Sequence, residues 1–126
     1  MDRESNTPGD TQKFEVRTET AGGTVLVRVV GELDLSTHEL LREPLMAAAK
    51  SGDSVVLDLA ECEFIDSSGI RALLQGHEAV TEGQDDGNRL VIAAPRPPVL
   101  RVLEMTGVGE ALPVHESVDE ALSSLS

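Results

Sequence analysis

Aromatic residues are almost absent from this sequence: Phe14 and Phe64 are present, and Trp and Tyr are missing. The hydrophobic core must therefore be built from Val, Leu, Ile and Ala. The lack of Trp and Tyr also argues against a surface that binds bases or sugars by stacking. The net charge of −13 repels nucleic acid and anionic lipid, so we expect no direct nucleic-acid partner and no membrane partner.

Cysteine and long hydrophobic segments are scarce as well. A single cysteine, Cys62, excludes an internal disulfide framework and a cysteine-based zinc site, and we expect its thiol to be unreactive. No apolar run reaches the roughly 18 residues that a membrane span needs. The first residues lack the apolar stretch of a signal peptide. We therefore expect a cytoplasmic protein.

What the sequence does contain is enough apolar residues for one core. The chain has 126 residues, of which 40% are hydrophobic and 26% charged, as in ordinary globular proteins. Residues 1–12 are polar and predict a disordered N-terminal tail. Residues 13–126 then form one folded domain.

The folded part begins with a predicted hairpin. Residues 14–19 alternate apolar or β-branched residues with charged ones, which indicates an edge strand with one wet face. A turn at 21–23 leads into a more buried strand at 24–30. Because the connection is short, the two strands should be antiparallel.

Helices and strands then alternate along the chain. We predict strands at 54–59 and 89–94 and a short one at 112–114. Helices are predicted from 36 to about 50, at 67–82, from the prolines at 95–98 to Gly107, and from Ser117 onward. Two of them begin on the capping-box pattern Ser-x-x-Glu, at 36–39 and 117–120. The fold class is α/β, a mixed, mostly parallel sheet packed by about four helices.

One segment, residues 64–70, has the sequence FIDSSGI and lies where a buried strand ends and a helix begins. Either Asp66 or Ser67 suits the N-cap position, because both side chains accept a hydrogen bond from the first turn. Ser68 then lies within that turn, near free backbone N–H groups and the positive end of the helix dipole. A phosphate on its hydroxyl would be well placed there.

The helix that follows this segment is amphipathic. Its predicted inward face consists of Ile70, Leu73, Leu74 and Val80. His77 lies on or near the same face, and we interpret it as a packed histidine.

An enzyme is the first alternative for the two serines. A serine at a strand-to-helix turn is typical of the hydrolase nucleophile elbow, but the glycine two residues before either serine is missing. The candidate bases are His38, His77 and His115, and their positions are more typical of packed or solvated side chains. We expect no enzymatic activity.

Phosphoaspartate, metal and nucleotide sites are also weakly supported. A receiver-type site at Asp66 requires clustered carboxylates and a nearby lysine, and the lysines are Lys13 and Lys50. The acidic loop at 84–88 lacks the spacing of a calcium site. No phosphate loop of the Gly-x-x-x-x-Gly-Lys type occurs. We predict no cofactor and no metal.

With the segment at 31–34, GELD, and Asp58-Leu59, the FIDSSGI segment closely resembles the anti-sigma factor antagonists of the STAS domain family. The resemblance runs from Phe14 through nearly the whole chain and includes the order of the elements. It implies a single STAS-like domain and a role in transcription regulation by partner switching, as in stress response or sporulation.

The resemblance also implies site residues and partners. Ser68 matches the serine that an anti-sigma factor with serine kinase activity phosphorylates. The unphosphorylated protein would bind that anti-sigma factor and release the sigma factor, and a protein phosphatase would restore it. Asp66, Ser67 and Gly69 would shape the phosphosite turn, and Asp34 would lie at the partner-facing end of the sheet. The alternative is a STAS scaffold or ligand-sensing module in another signalling complex.

Overall fold

The described residues form a five-stranded sheet with helices on both faces. The structure is a computed structural model, and it describes residues 14–82 and 87–125. The strands lie side by side in chain order: β1 (Glu15–Ala21), β2 (Thr24–Leu33), β3 (Ser54–Ile65), β4 (Leu90–Ala93) and β5 (Val114–His115). β1 and β2 are antiparallel and the remaining pairs are parallel, which confirms the predicted mixed sheet.

In the described part of the chain, five helices connect or follow these strands: α1 (His38–Ser51), α2 (Ser67–Thr81), α3 (Pro97–Thr106), α4 (Val108–Ala111) and α5 (Val118–Ser124). The sequence predicted about four. The additional helix, α4, is a single turn that follows Gly107, whose φ of 77° ends α3. A positive φ suits glycine because it has no Cβ.

The helices cover the two faces of the sheet unequally. The main core joins the sheet to α1, α2 and α3 on one face and consists mainly of Val, Leu and Ile. The other face carries α5, which packs its Ala121 against Val56, Val91 and Ala93. Consecutive crossovers of one hand that always step to the next strand place their helices on the same face. On this opposite face α5 contacts β3, β4 and β5.

The predicted hairpin is confirmed, and β1 is an edge strand. Its two-residue turn is formed by Gly22 and Gly23, with φ values of 54° and 84°. Positive φ at both central residues is the geometry that matches the twist of a hairpin.

β2 and β3 are longer than the sequence predicted. β2 continues to Leu33 and β3 to Ile65, with shifts in register between Arg28 and Val30 and between Gly31 and Glu32. Bulges of this kind interrupt the alternation of side chains, so the pattern beyond residue 59 no longer predicts a strand. The extension carries both strands to the same edge of the sheet.

The two predicted capping boxes have different outcomes. Ser117 Oγ accepts a hydrogen bond from the Glu120 N–H at 3.1 Å, which confirms the start of α5. The capping box at 36–39 is wrong: Thr37 is the N-cap of α1, and its side chain makes no capping bond.

Two further predictions differ from the structure or lie outside it. Leu74 was expected to face inward with Ile70 and Leu73, but 41% of it is exposed. The predicted tail, residues 1–12, and most of the loop at 84–88 lie outside the described residues.

Candidate functional site

Two strand-to-helix turns lie next to each other at the carboxyl edge of the sheet. One joins β2 to α1 and contains Asp34, and the other joins β3 to α2 and contains Asp66. Leu33 and Ile65, the last residues of the two strands, are paired in register. The Asp66 N–H also donates to the Leu33 carbonyl oxygen at 3.2 Å. The structure thus brings the predicted residue Asp34 to the edge that carries the serines.

The second turn is organised by the carboxylate of Asp66. Asp66 is the N-cap of α2, and its Oδ1 accepts hydrogen bonds from the N–H groups of Ser68 at 2.8 Å and Gly69 at 3.1 Å. Of the two N-cap candidates, Asp66 is therefore the one used, and Ser67 is the first residue of the helix. An N-cap carboxylate of this kind stabilises a protein by about 1 kcal/mol.

The hydroxyls of this turn are left without partners. Ser67 is exposed and Ser68 is partly exposed. Neither hydroxyl forms a hydrogen bond within residues 14–82 and 87–125. The buried side-chain nitrogen or oxygen atoms without a partner in those ranges are His77 Nδ1 and His115 Nε2. Ser68 Oγ is therefore unpaired and in contact with solvent.

The first turn uses its hydroxyls differently. Asp34 Oδ1 accepts from the N–H of Ser36 at 3.0 Å and from its hydroxyl at 2.8 Å. Thr37 Oγ1 accepts from the Asp34 N–H at 2.9 Å and donates to the Glu32 carbonyl oxygen at 2.8 Å. The hydrogen bond from the Ser36 hydroxyl is the main cause that lowers the pKa of the Asp34 carboxyl, and desolvation opposes it. This carboxylate is therefore tied to its own turn.

Gly69 lets the two turns approach each other. A Cβ at this position would lie 2.7 Å from Ile65 Cγ1, 2.8 Å from Leu33 Cγ and 2.9 Å from the Leu33 carbonyl oxygen. Real Cβ atoms do not make contacts this short, and a backbone oxygen has little room to move. The glycine of the motif is thus required by packing between α2 and the end of β2.

Two apolar side chains near these turns were not singled out by sequence reasoning. Leu35 is 73% exposed in the first turn, and Phe64 is 47% exposed just before the second. The sequence signal that could have indicated the exposure of Leu35 is its position directly after Asp34, within an otherwise polar turn.

The three histidines that the sequence offers as candidate bases lie on three different elements. His38 begins α1, His77 lies on α2 and His115 ends β5. None of the three forms a hydrogen bond with Ser67 or Ser68 among the residues that the structure describes. Burial raises the pKa of the Cys62 thiol to about 11, which fits the expected lack of reactivity.

Residues 14–82 and 87–125 contain no cluster of three His, Cys, Asp or Glu side chains that could hold a metal ion. Their helices include none with the length and apolar character of a membrane span.

Comparison with known proteins supports the same assignment of fold. The family model for the STAS domain matches residues 15–121. An anti-sigma F factor antagonist from Paenibacillus polymyxa is 28% identical over 114 residues, which cover 89% of this chain and 95% of that protein. A crystal structure of an anti-sigma factor antagonist from Mycobacterium paratuberculosis superposes with a TM-score of 0.80 at 24% identity, covering 90% and 94% of the two chains. The Bacillus cell fate determinant SpoIIAA in its phosphorylated form gives a TM-score of 0.65 at 23% identity, covering 90% and 100%.

Proposed function

The chain belongs to the STAS domain family, and we propose that it is an anti-sigma factor antagonist switched by phosphorylation of Ser68. In the unphosphorylated state it binds a kinase-type anti-sigma factor, and the sigma factor is released. Phosphate on Ser68 ends that binding, and a protein phosphatase restores it. The protein acts in the cytoplasm as a binding module and kinase substrate, without catalysis of its own.

The observation that carries this proposal is the free hydroxyl of Ser68. It touches solvent in the first turn of α2, and no hydrogen bond within the described chain must be broken before a kinase acts on it. The turn itself is held by Asp66 through backbone N–H groups. The hydroxyl can therefore be modified without removing a contact that holds the turn.

The fold should tolerate a phosphate at this position. Phosphorylation adds about −1.5 to −2 charges. The first turn of α2 has no acidic side chain of its own, and a helix N-terminus favours an anion by about 0.3–1 kcal/mol. The Asp66 carboxylate is a like charge that opposes this gain. The net change in folding stability should therefore be small.

A docked partner should not tolerate the same charge. The exposed side chains of Leu35 and Phe64 offer apolar area that a partner would cover. An uncompensated dianion in such an interface costs several kcal/mol. Each 1.4 kcal/mol is about a tenfold change in affinity. The proposed switch thus acts on the interface and leaves the fold intact.

The names of similar proteins support the proposal. The Paenibacillus relative is named an anti-sigma F factor antagonist, and one similar structure is that of the Bacillus cell fate determinant SpoIIAA in its phosphorylated form. The alignment with the antagonist covers nearly the whole length of both chains.

Phosphosite mapping tests the proposal. The protein is incubated with candidate kinase-type anti-sigma factors and Mg-ATP, and the modified residue is identified by mass spectrometry. We expect phosphate on Ser68, none on Ser68→Ala, and retained modification of the matched control Ser67→Ala. Phosphate mapped only to another residue contradicts the proposal. Co-purified nucleotide or lipid, without phosphorylation, would favour a ligand-sensing STAS module instead.

A further inference from the structure

The two edges of the sheet differ in how much backbone they leave open. β5 forms one edge with two residues, directly after Pro113. β1 forms the other edge with seven residues, Glu15–Ala21, and pairs only with β2 among the described strands. A long edge strand presents unpaired N–H and C=O groups to any strand that approaches. The β1 edge is therefore the one suited to pairing between chains.

The hairpin turn determines which groups of β1 point away from β2. In a two-residue turn, the residues that flank it, here Ala21 and Thr24, form a hydrogen-bonded pair. Hydrogen-bonded and non-hydrogen-bonded pairs alternate along an antiparallel ladder. The N–H and C=O groups of Val16, Thr18 and Thr20 consequently point outward, to the open edge.

We propose that β1 pairs with β1 of a second copy of this chain, antiparallel and centred on Thr18. In this register Thr18 lies opposite Thr18 of the other copy and Val16 lies opposite Thr20. These three residues have the outward-pointing N–H and C=O groups. Each therefore lies opposite a residue of the other copy that can form backbone hydrogen bonds with it. The two sheets then become one continuous sheet of ten strands, twice the five of one chain.

Charge selects this register. When the pairing of the two strands is centred on Thr18, Arg17 of each copy lies opposite Glu19 of the other. All seven residues of β1 are then paired. When the pairing is instead centred on Arg17, the two arginines lie opposite each other, and Glu15 of each copy lies opposite Glu19 of the other. Opposite charges across a strand pair are favourable and like charges are unfavourable, by about 0.2–1 kcal/mol each. The hydrogen bond from Arg17 to Glu15 at 2.8 Å is exposed and can be exchanged at little cost.

The dimer should be weak, since the net charge of −13 on each copy opposes association. It is independent of the phosphorylation switch, because β1 and Ser68 lie on different elements. The full chain and Ser68→Ala should therefore dimerise alike.

Charge exchange tests the register directly by analytical ultracentrifugation of the full chain over a range of concentrations. We expect wild type to show a monomer–dimer equilibrium. Arg17→Glu places Glu against Glu19, and Glu19→Arg places Arg against Arg17, so each variant alone should be monomeric. Mixing the two variants should restore a dimer, now a heterodimer. Arg101→Glu, an exposed charge reversal on α3, is the matched control and should dimerise as wild type does.

A backbone variant tests the edge itself. Thr18→Pro removes an N–H that points away from β2, and proline is tolerated on edge strands, so circular dichroism should show a retained fold. We expect this variant to be monomeric. A wild-type chain that is monomeric at every concentration overturns the proposal. Dimers that persist in Arg17→Glu and Glu19→Arg alone, or a mixture that stays monomeric, overturn it as well.

Discussion

The two neighbouring turns at the carboxyl edge of the sheet both combine an aspartate with two hydroxyl side chains, but they differ in whether those hydroxyls are hydrogen-bonded. Each contains one aspartate followed by two hydroxyl side chains: Asp34 precedes Ser36 and Thr37, and Asp66 precedes Ser67 and Ser68. In the first turn both hydroxyls are hydrogen-bonded within the turn. In the second turn neither is bonded within the described chain. Hydroxyls that a fold does not need are the ones available for regulation.

The position of the aspartate explains the difference. Asp66 is itself the N-cap of α2, so its carboxylate reaches the N–H groups of the first helical turn. Asp34 lies three residues before Thr37, the N-cap of α1. Its carboxylate therefore accepts hydrogen bonds from Ser36 in the loop before the helix. The second turn is thus held by one carboxylate that accepts from backbone N–H groups, whereas the first turn also uses the side chains of Ser36 and Thr37.

The largest effect should come from the glycine that joins the two turns. Gly69→Ala forces a Cβ against Leu33 and Ile65, and overpacking of this kind typically costs about 1–3 kcal/mol. We expect a clear drop in melting temperature, measured by differential scanning calorimetry. Gly109→Ala is the control, because its nearest contact is an ordinary 3.9 Å to Val114 Cγ2. If the two variants are equally stable, Gly69 is not required for packing between the two turns, and the comparison of the turns fails.

Deleting one hydroxyl from each turn sharpens the contrast. Thr37→Val removes an acceptor for the Asp34 N–H and a donor to Glu32, so it should cost about 1 kcal/mol. Ser68→Ala removes no hydrogen bond within the described chain and should stay within about 0.5 kcal/mol of wild type. Urea unfolding of both variants measures the difference. A loss in Ser68→Ala as large as that in Thr37→Val would mean that both hydroxyls are structural.

A smaller effect should appear as a pH dependence confined to the first turn. The folded-state pKa of Asp34 is lowered, chiefly by the Ser36 hydroxyl, so its ionised form stabilises the fold. That contribution is complete above the ordinary aspartate pKa of about 3.9 and is lost as the pH falls through the folded-state pKa. The stability gap between wild type and Asp34→Asn, from urea unfolding, should therefore shrink below about pH 4. A gap that widens on acidification contradicts this assignment.

Local sequence rules predicted much of this fold because hydrophobic period and turn chemistry agree in most elements. The glycine pair at 22–23, the N-cap at Asp66 and the stop at Gly107 each act within a few residues, and each is found in the structure. The capping box at 36–39 was wrong because Asp34, outside the four-residue pattern, captured the Ser36 side chain.

Features that depend on tertiary contacts were beyond the sequence. β3 continues to Ile65 because it pairs with β2 across two shifts in register, and this pairing is a tertiary contact. The exposure of Leu74 and Leu35 depends on where α1 and α2 lie, which a helical period alone does not determine. The site residues on one segment, 66–69, were grouped by the motif, but the contact of Gly69 with Leu33 emerges only when the strands are paired.

The most direct test of the central claim separates charge from size at Ser68. Affinity for the anti-sigma factor that phosphorylates the protein is measured by calorimetry for Ser68→Asp and for its neutral counterpart Ser68→Asn, together with both melting temperatures. The account predicts that Ser68→Asp loses at least about tenfold in affinity, equivalent to 1.4 kcal/mol, while Ser68→Asn loses much less and both melt near wild type. Equal affinities of the two variants, or unfolding of Ser68→Asp, would contradict it.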